Sequence, residues 1–215
     1  MHNNTPYAHS SYDYTRRTNK MLFLLAFILP PAVLMAQDIH LEQFNKKRLH
    51  RTEQSMWILG GWAVANIAVG AIGMGQTSGA QKAFHQMNLG WGAVNLGLAA
   101  SGLWTATHAD PAAFDLYQTT LEHHKIQKLF LFNAGLDAGY MMAGAWMQEK
   151  SKNTTKNPER LKGFGQSLVL QGAFLMAFDL GAFLYHRNLE PELKPFLERT
   201  EIGFSGHMLH LKWQL

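Results

Sequence analysis

The charged residues of this chain are segregated, and this segregation constrains the fold more than any other feature. Four stretches of about 20 residues carry few charges, whereas Lys, Arg, Asp and Glu crowd into the segments around them. A water-soluble helix needs a polar face along its whole length. Such stretches instead match the roughly 30 Å hydrocarbon core of a bilayer. The pattern predicts four membrane spans, approximately residues 54–74, 86–107, 126–147 and 163–185.

The N-terminal residues have the pattern of an export signal. Arg16, Arg17 and Lys20 stand before an apolar run that ends at Ala36, a small residue at a plausible cleavage point. This order is typical of secretory signals. We expect residues 1–36 to be a signal peptide, with an uncleaved anchor as the alternative. Both place the following residues on the outer side of the membrane.

The remaining chain divides into three parts. Residues 37–53 combine apolar and basic residues, which predicts an amphipathic helix on the membrane surface. Residues 54–186 are expected to form an all-α, four-helix up-down bundle within the membrane, and residues 187–215 an extramembrane tail. The alternative is a soluble bundle of buried helices.

The loop charges predict the orientation, because basic loops stay in the cytoplasm. The third loop is basic and the second is acidic, so both ends of the mature chain are expected outside the bacterial cytoplasmic membrane. The basic residues of the third loop are Lys150, Lys152, Lys156, Arg160 and Lys162.

Small residues suggest where helices approach one another, since they allow close backbone contact in lipid. Gly135 and Gly139 form a GxxxG pair, and Ala93, Gly97 and Ser101 form a second stripe. We expect both to lie at helix interfaces.

Several segments carry a resemblance to a known family. They are Gly-Trp-Ala-Val-Ala-Asn-Ile-Ala-Val-Gly at 61–70, Phe-His-Gln-Met-Asn at 84–88, Leu-Asp-Ala-Gly-Tyr-Met-Met at 136–142 and Gly-Phe-Gly-Gln-Ser at 163–167. With these segments the chain resembles, over roughly 54–186, an uncharacterised bacterial family of four-helix membrane proteins. The resemblance implies the architecture and no activity.

Polar residues inside the spans are the candidate functional residues. In hydrocarbon such side chains pair with one another or line a pathway. The structural interpretation is hydrogen bonding that fixes helix register; the alternative is a small proton- or cation-coupled transporter or channel using Asp137 and Asp179. The full set is Asn66, Asn95, Asn133, Asp137, Gln171 and Asp179.

Histidines near the outer ends of the spans suggest a second alternative, a metal site on the outer face. Imidazole is a common ligand of divalent metals. The candidates are His108, His123, His124 and His186. Haem requires histidines that face the bundle interior, and we expect none there, so no cofactor is predicted.

No catalytic motif occurs, and the chain has no cysteine. We therefore expect a non-enzymatic structural or interaction protein. The small net charge of +4 lies beside apolar segments and does not indicate nucleic-acid binding. The bilayer is the expected partner. Residues 202–215 partly alternate apolar and polar residues, as an edge strand would, and could bind another membrane or periplasmic protein; no second strand is expected.

Overall fold

A computed structural model describes residues 11–198, 200–205 and 208–213, and the side chains of residues 39–197. Four long helices dominate the fold. They are α1 (Ser11–Gln76), α2 (Gly79–His108), α3 (Leu116–Lys152) and α4 (Pro158–Arg187). A short helix, α5 (Glu190–Glu198), follows, and then strands β1 (Thr200–Ser205) and β2 (Met208–Trp213).

The turns between the helices follow from local sequence. Gly79 opens α2 at φ +56°, a conformation that glycine adopts without steric cost. Asp115 caps α3, since its side chain accepts a hydrogen bond from the backbone N–H of Gln118 at 2.7 Å. Asn157 is left-handed before Pro158, which occupies the first turn of α4. The connections before α2 and α4 make α1 and α2, and likewise α3 and α4, antiparallel neighbours.

The bundle consists of two helical hairpins, α1–α2 and α3–α4, and the most extensive contact between them joins α2 to α4. Glycines make these contacts close. A Cβ at Gly92 would stand 2.9 Å from the carbonyl oxygen of Ala63, and one at Gly172 would stand 2.8 Å from that of Asp137. At both positions any side chain would force neighbouring backbones apart.

The predicted small-residue interfaces are on the wrong faces. Gly97, Gly135 and Gly139 have nothing within 4 Å of an added Cβ, and Ala93 and Ser101 are exposed. The helix contacts use other glycines because sequence spacing alone does not reveal which face of a helix meets its neighbour.

The distribution of apolar side chains is inverted relative to a water-soluble protein. Trp57, Phe132 and Met142 are 64%, 67% and 69% exposed, while many buried side chains are polar. Two helical stretches of the described chain are long and apolar enough to cross a membrane, Ile39–Gln76 and Pro158–Leu197. Within the most apolar 18-residue stretch of each helix, only 22% and 39% of the residues are buried. A core helix of a soluble protein is mostly buried. Two of the four predicted spans therefore lie in helices that are long and apolar enough to cross a membrane.

Residues 37–53 continue α1 without interruption. Leu41, Phe44 and Leu49 are buried, and Phe44 packs with Leu189 and Leu193 beside α5. Their apolar side chains therefore face the protein rather than a membrane surface. Of the predicted signal, residues 1–10 lie outside the described residues, and 11–36 begin α1.

The sequence predicts one strand in the C-terminal tail and no second strand to pair with it, but the structure has two. β1 and β2 pair antiparallel with each other, with Thr200 opposite Trp213 and Ser205 opposite Met208. The second strand therefore comes from the tail itself.

Candidate functional site in the bundle interior

Gln171 of α4 is the centre of a buried hydrogen-bond network that joins three helices. Its Oε1 accepts from the indole N–H of Trp62 at 2.9 Å, and its Nε2 donates to Asn66 Oδ1 at 2.6 Å and to Asn88 Oδ1 at 2.9 Å. Ser167 also donates to Asn88 Oδ1, at 2.6 Å. The network links α1, α2 and α4 and satisfies most of the polar atoms it buries.

The carboxyl groups of Asp137 and Asp179 meet across α3 and α4. Both residues are buried, and their carboxyl groups interact with each other. Two interacting carboxyl groups removed from water favour holding one proton between them, as in other carboxyl pairs. Neither residue forms an ion pair with a Lys, Arg or His among the side chains that the structure describes.

Two polar atoms close to this level of the bundle remain without a hydrogen-bond partner. They are Oδ2 of Asp137 and Nδ2 of Asn95 on α2. The carboxyl oxygen is an acceptor and the amide nitrogen is a donor, so the carboxyl pair retains the capacity to bind a proton, a water molecule or a small cation.

An apolar cluster lies beside the carboxyl pair in the bundle interior. Phe130 is central to it, with its ring centroid 6.0 Å from that of Phe178 in an edge-to-face contact. The buried members of this cluster are Met56, Leu59, Ala99, Phe130, Leu175 and Ala182.

Next to the apolar cluster, His123 and His186 are fully buried. Burial, with smaller contributions from a neighbouring histidine and from Arg48 and Arg51, lowers the pKa of each imidazole to about 4. Both rings are therefore neutral at pH 7. The expectation that no histidine faces the interior is wrong, because these two occupy the inward positions of α3 and α4.

The other predicted residues lie apart from these groups. Asn133 is half-buried. His108 stacks on Trp104 with ring centroids 3.8 Å apart, and His124 faces Glu190 at 4.0 Å. Within the described part of the chain, no group of three or more His, Cys, Asp or Glu side chains is placed to hold a metal ion.

Sequence reasoning did not identify Gln127 as an interior residue, and it placed His123 at the outer face instead of the interior. His123, Gln127, Phe130, Ala134 and Asp137 are all buried and follow one another at spacings of three or four residues. That spacing marks one face of a helix, and it could have identified the inward position of His123 and the role of Gln127.

The fold and interior define a helical-bundle protein with large exposed apolar side chains and an interior that combines polar and apolar residues. A family of unknown function, DUF6992, matches residues 58–180. Because this is more than half of the 215 residues, the chain belongs to that family. No curated protein and no solved structure matches the chain.

Proposed function

We propose that the protein is a multi-pass protein of the bacterial cytoplasmic membrane, a non-enzymatic structural or interaction module. In this proposal α1 to α4 all cross the bilayer, with both ends of the mature chain outside. The observation that carries it is the inverted burial. Large apolar side chains such as Trp57, Phe132 and Met142 are exposed, and their burial in lipid would be favourable.

The Gln171 network supports a structural role for the interior. Hydrogen bonds between helices in lipid fix rotation and register at about 1 kcal/mol each or less. The short glycine contacts supply close van der Waals packing, the other source of helix association in a bilayer.

Single cysteines test this membrane arrangement, since the natural chain has none and gives no background. In spheroplasts, an impermeant maleimide should label A112C in the α2–α3 connection. It should label N153C, after α3, only once the membrane is opened. V69C, which replaces an exposed apolar residue, should resist labelling in both conditions. Rapid labelling of V69C in native membranes would contradict the proposal.

A second function is favoured by one specific observation, the buried and interacting pair of Asp137 and Asp179. In this alternative the pair releases its one proton and a monovalent cation takes the place of that proton, so the net charge of the site stays the same. Intramembrane carboxyl groups commonly serve proton or ion pathways. The free Oδ2 of Asp137 is the atom available to such an ion.

Proteoliposomes loaded with a pH-sensitive dye test the second function under an imposed potassium or sodium gradient. Coupled transport predicts proton flux that D137N and D179N each abolish while Q86M, at an exposed position of α2, retains it. Absence of flux in the natural protein leaves the structural function as the interpretation.

A further inference from the structure

Three polar side chains are buried at the end of the bundle near α5. They are Arg48 of α1, His123 of α3 and His186 of α4, which are 5%, 0% and 0% exposed. Phe44 contacts the ring of His123 edge-on, with centroids 5.2 Å apart, and packs against the apolar side chains beside α5.

The buried guanidinium of Arg48 has fewer hydrogen bonds and ion pairs than a buried charge normally requires. Its Nε donates to Asn45 Oδ1 at 3.2 Å, and its Cζ lies 4.8 Å from the ring centroid of Phe114. Its Nη2 has no hydrogen-bond partner. No carboxylate among the described side chains forms an ion pair with it. Burial lowers its pKa, and Glu122 offsets this only in part. An arginine is rarely buried without an anionic partner.

The two histidines provide further donors at the same place. The amide nitrogen of Gln127 lies 2.7 Å from His123 Nε2. When that amide donates, Nε2 is the acceptor and Nδ1 carries the proton of the neutral ring. His123 Nδ1 and both ring nitrogens of His186 have no partner. Each neutral ring therefore offers one N–H group that nothing described in the protein accepts.

The sign of the local charge determines whether an anion or a metal cation would bind at this place. The groups whose charge acts on the His186 ring are His123, Arg51 and Arg48, and no carboxylate is among them, although Glu122 acts on Arg48. Arg51 also donates to the carbonyl oxygen of Tyr185 and lies over its ring. A positive field raises the affinity for an oxyanion and opposes a divalent metal.

We propose that Arg48, His123 and His186 form a binding site for one phosphate oxyanion, carried by an anionic lipid headgroup or free in solution. A guanidinium and two imidazole N–H groups donate charge-assisted hydrogen bonds to such oxygens. The site is distinct from the carboxyl pair and does not depend on ion transport.

Thermal unfolding of the full chain in a neutral detergent tests this site. The probes are short-chain phosphatidylglycerol, a diacylglycerol with the same chains, and inorganic phosphate. A ligand that binds only the folded state raises Tm. We expect a saturable rise with phosphatidylglycerol and none with diacylglycerol.

Substitutions locate the binding. R48Q and H186Q should lose the rise in Tm. K46Q, at an exposed lysine on the same helix, and H124Q, at the neighbouring half-buried histidine, should keep it. If R48Q does not fold, R48K can replace it, because lysine preserves the positive charge but lacks the planar guanidinium group. R48K should reduce the ligand-induced increase in Tm, and H186Q provides a second, independent variant.

Each outcome decides the proposal. A rise with inorganic phosphate as well identifies the free anion as a ligand, and a rise with phosphatidylglycerol alone identifies the headgroup. An equal rise with diacylglycerol, no rise with either phosphate source, or an unchanged rise in H186Q would overturn the site.

Discussion

Gly144 of α3 and Gly165 of α4 lie against each other's backbone. A Cβ at Gly144 would stand 2.6 Å from the carbonyl oxygen of Gly165, and a Cβ at Gly165 would stand 2.5 Å from that of Gly144. Real Cβ atoms essentially never approach a backbone oxygen this closely, so the two helices can adopt this spacing only with glycine at both positions.

We expect G144A and G165A each to destabilise the protein by about 1–3 kcal/mol, the usual cost of inserting a methyl group into a close-packed contact. Unfolding in mixed detergent and dodecyl sulfate measures the loss. G139A is the matched control on α3, because its Cβ would meet nothing within 4 Å and alanine favours helix. If G144A and G139A lose equal amounts of unfolding free energy, the close contact at Gly144 is contradicted.

Gln171 should be sensitive to loss of its amide. Q171M preserves the length of the side chain but leaves the indole N–H of Trp62 and the Oδ1 of Asn66 without their present partner. Buried polar groups left unpaired cost about 1–3 kcal/mol, measured by the same unfolding assay. Q86M, at an exposed glutamine, should change stability little. If Q171M leaves the free energy of unfolding unchanged, the indole and amide groups must find other hydrogen-bond partners.

The proton shared by Asp137 and Asp179 should be visible by infrared spectroscopy. At neutral pH the natural protein should show the C=O band of a protonated carboxyl, and the D137N/D179N double variant should lose it. Each single Asn variant should still fold, because an amide N–H can donate to the remaining carboxyl group. The band surviving in the double variant would assign the proton to another residue.

The two buried histidines should make stability depend on pH. Their folded pKa, about 4, lies below the ordinary 6.5, so the unfolded state binds more protons between these values. Stability is therefore fully present above pH 6.5 and declines as the pH falls towards 4. The Tm should drop between pH 7 and pH 5. H123Q and H186Q should each flatten that slope, while H124Q should not; a steep slope in all three variants would place the titrating group elsewhere.

The helical pattern could be read from the sequence because the charge-poor segments are long and their ends have turn residues such as Gly79 and Pro158. The predicted spans all fall within α1 to α4. The inward and outward faces were harder to predict. In a segment made almost entirely of apolar and small residues, Gly139 and Gly144 look alike, and only tertiary contact separates them.

The pattern Gly-Trp-x3-Asn occurs twice, at residues 61–66 and 90–95, and it illustrates the same limit for the candidate site. In α1, Trp62 and Asn66 both hydrogen-bond to Gln171. In α2, the indole N–H of Trp91 and the amide nitrogen of Asn95 have no hydrogen-bond partner. Identical spacing thus gives two different environments, because Gln171 lies 109 and 105 residues away in the chain from Trp62 and Asn66 and leaves no local signal.

The inverted burial has a thermodynamic consequence. In the proposed membrane setting, separating the helices exposes glycine contacts and amide groups rather than large apolar surfaces to water. The heat capacity of unfolding arises mainly from hydration of apolar area. The free energy of helix dissociation in a bilayer should therefore vary almost linearly with temperature, without the pronounced maximum of a water-soluble domain, and cooling should not weaken the bundle.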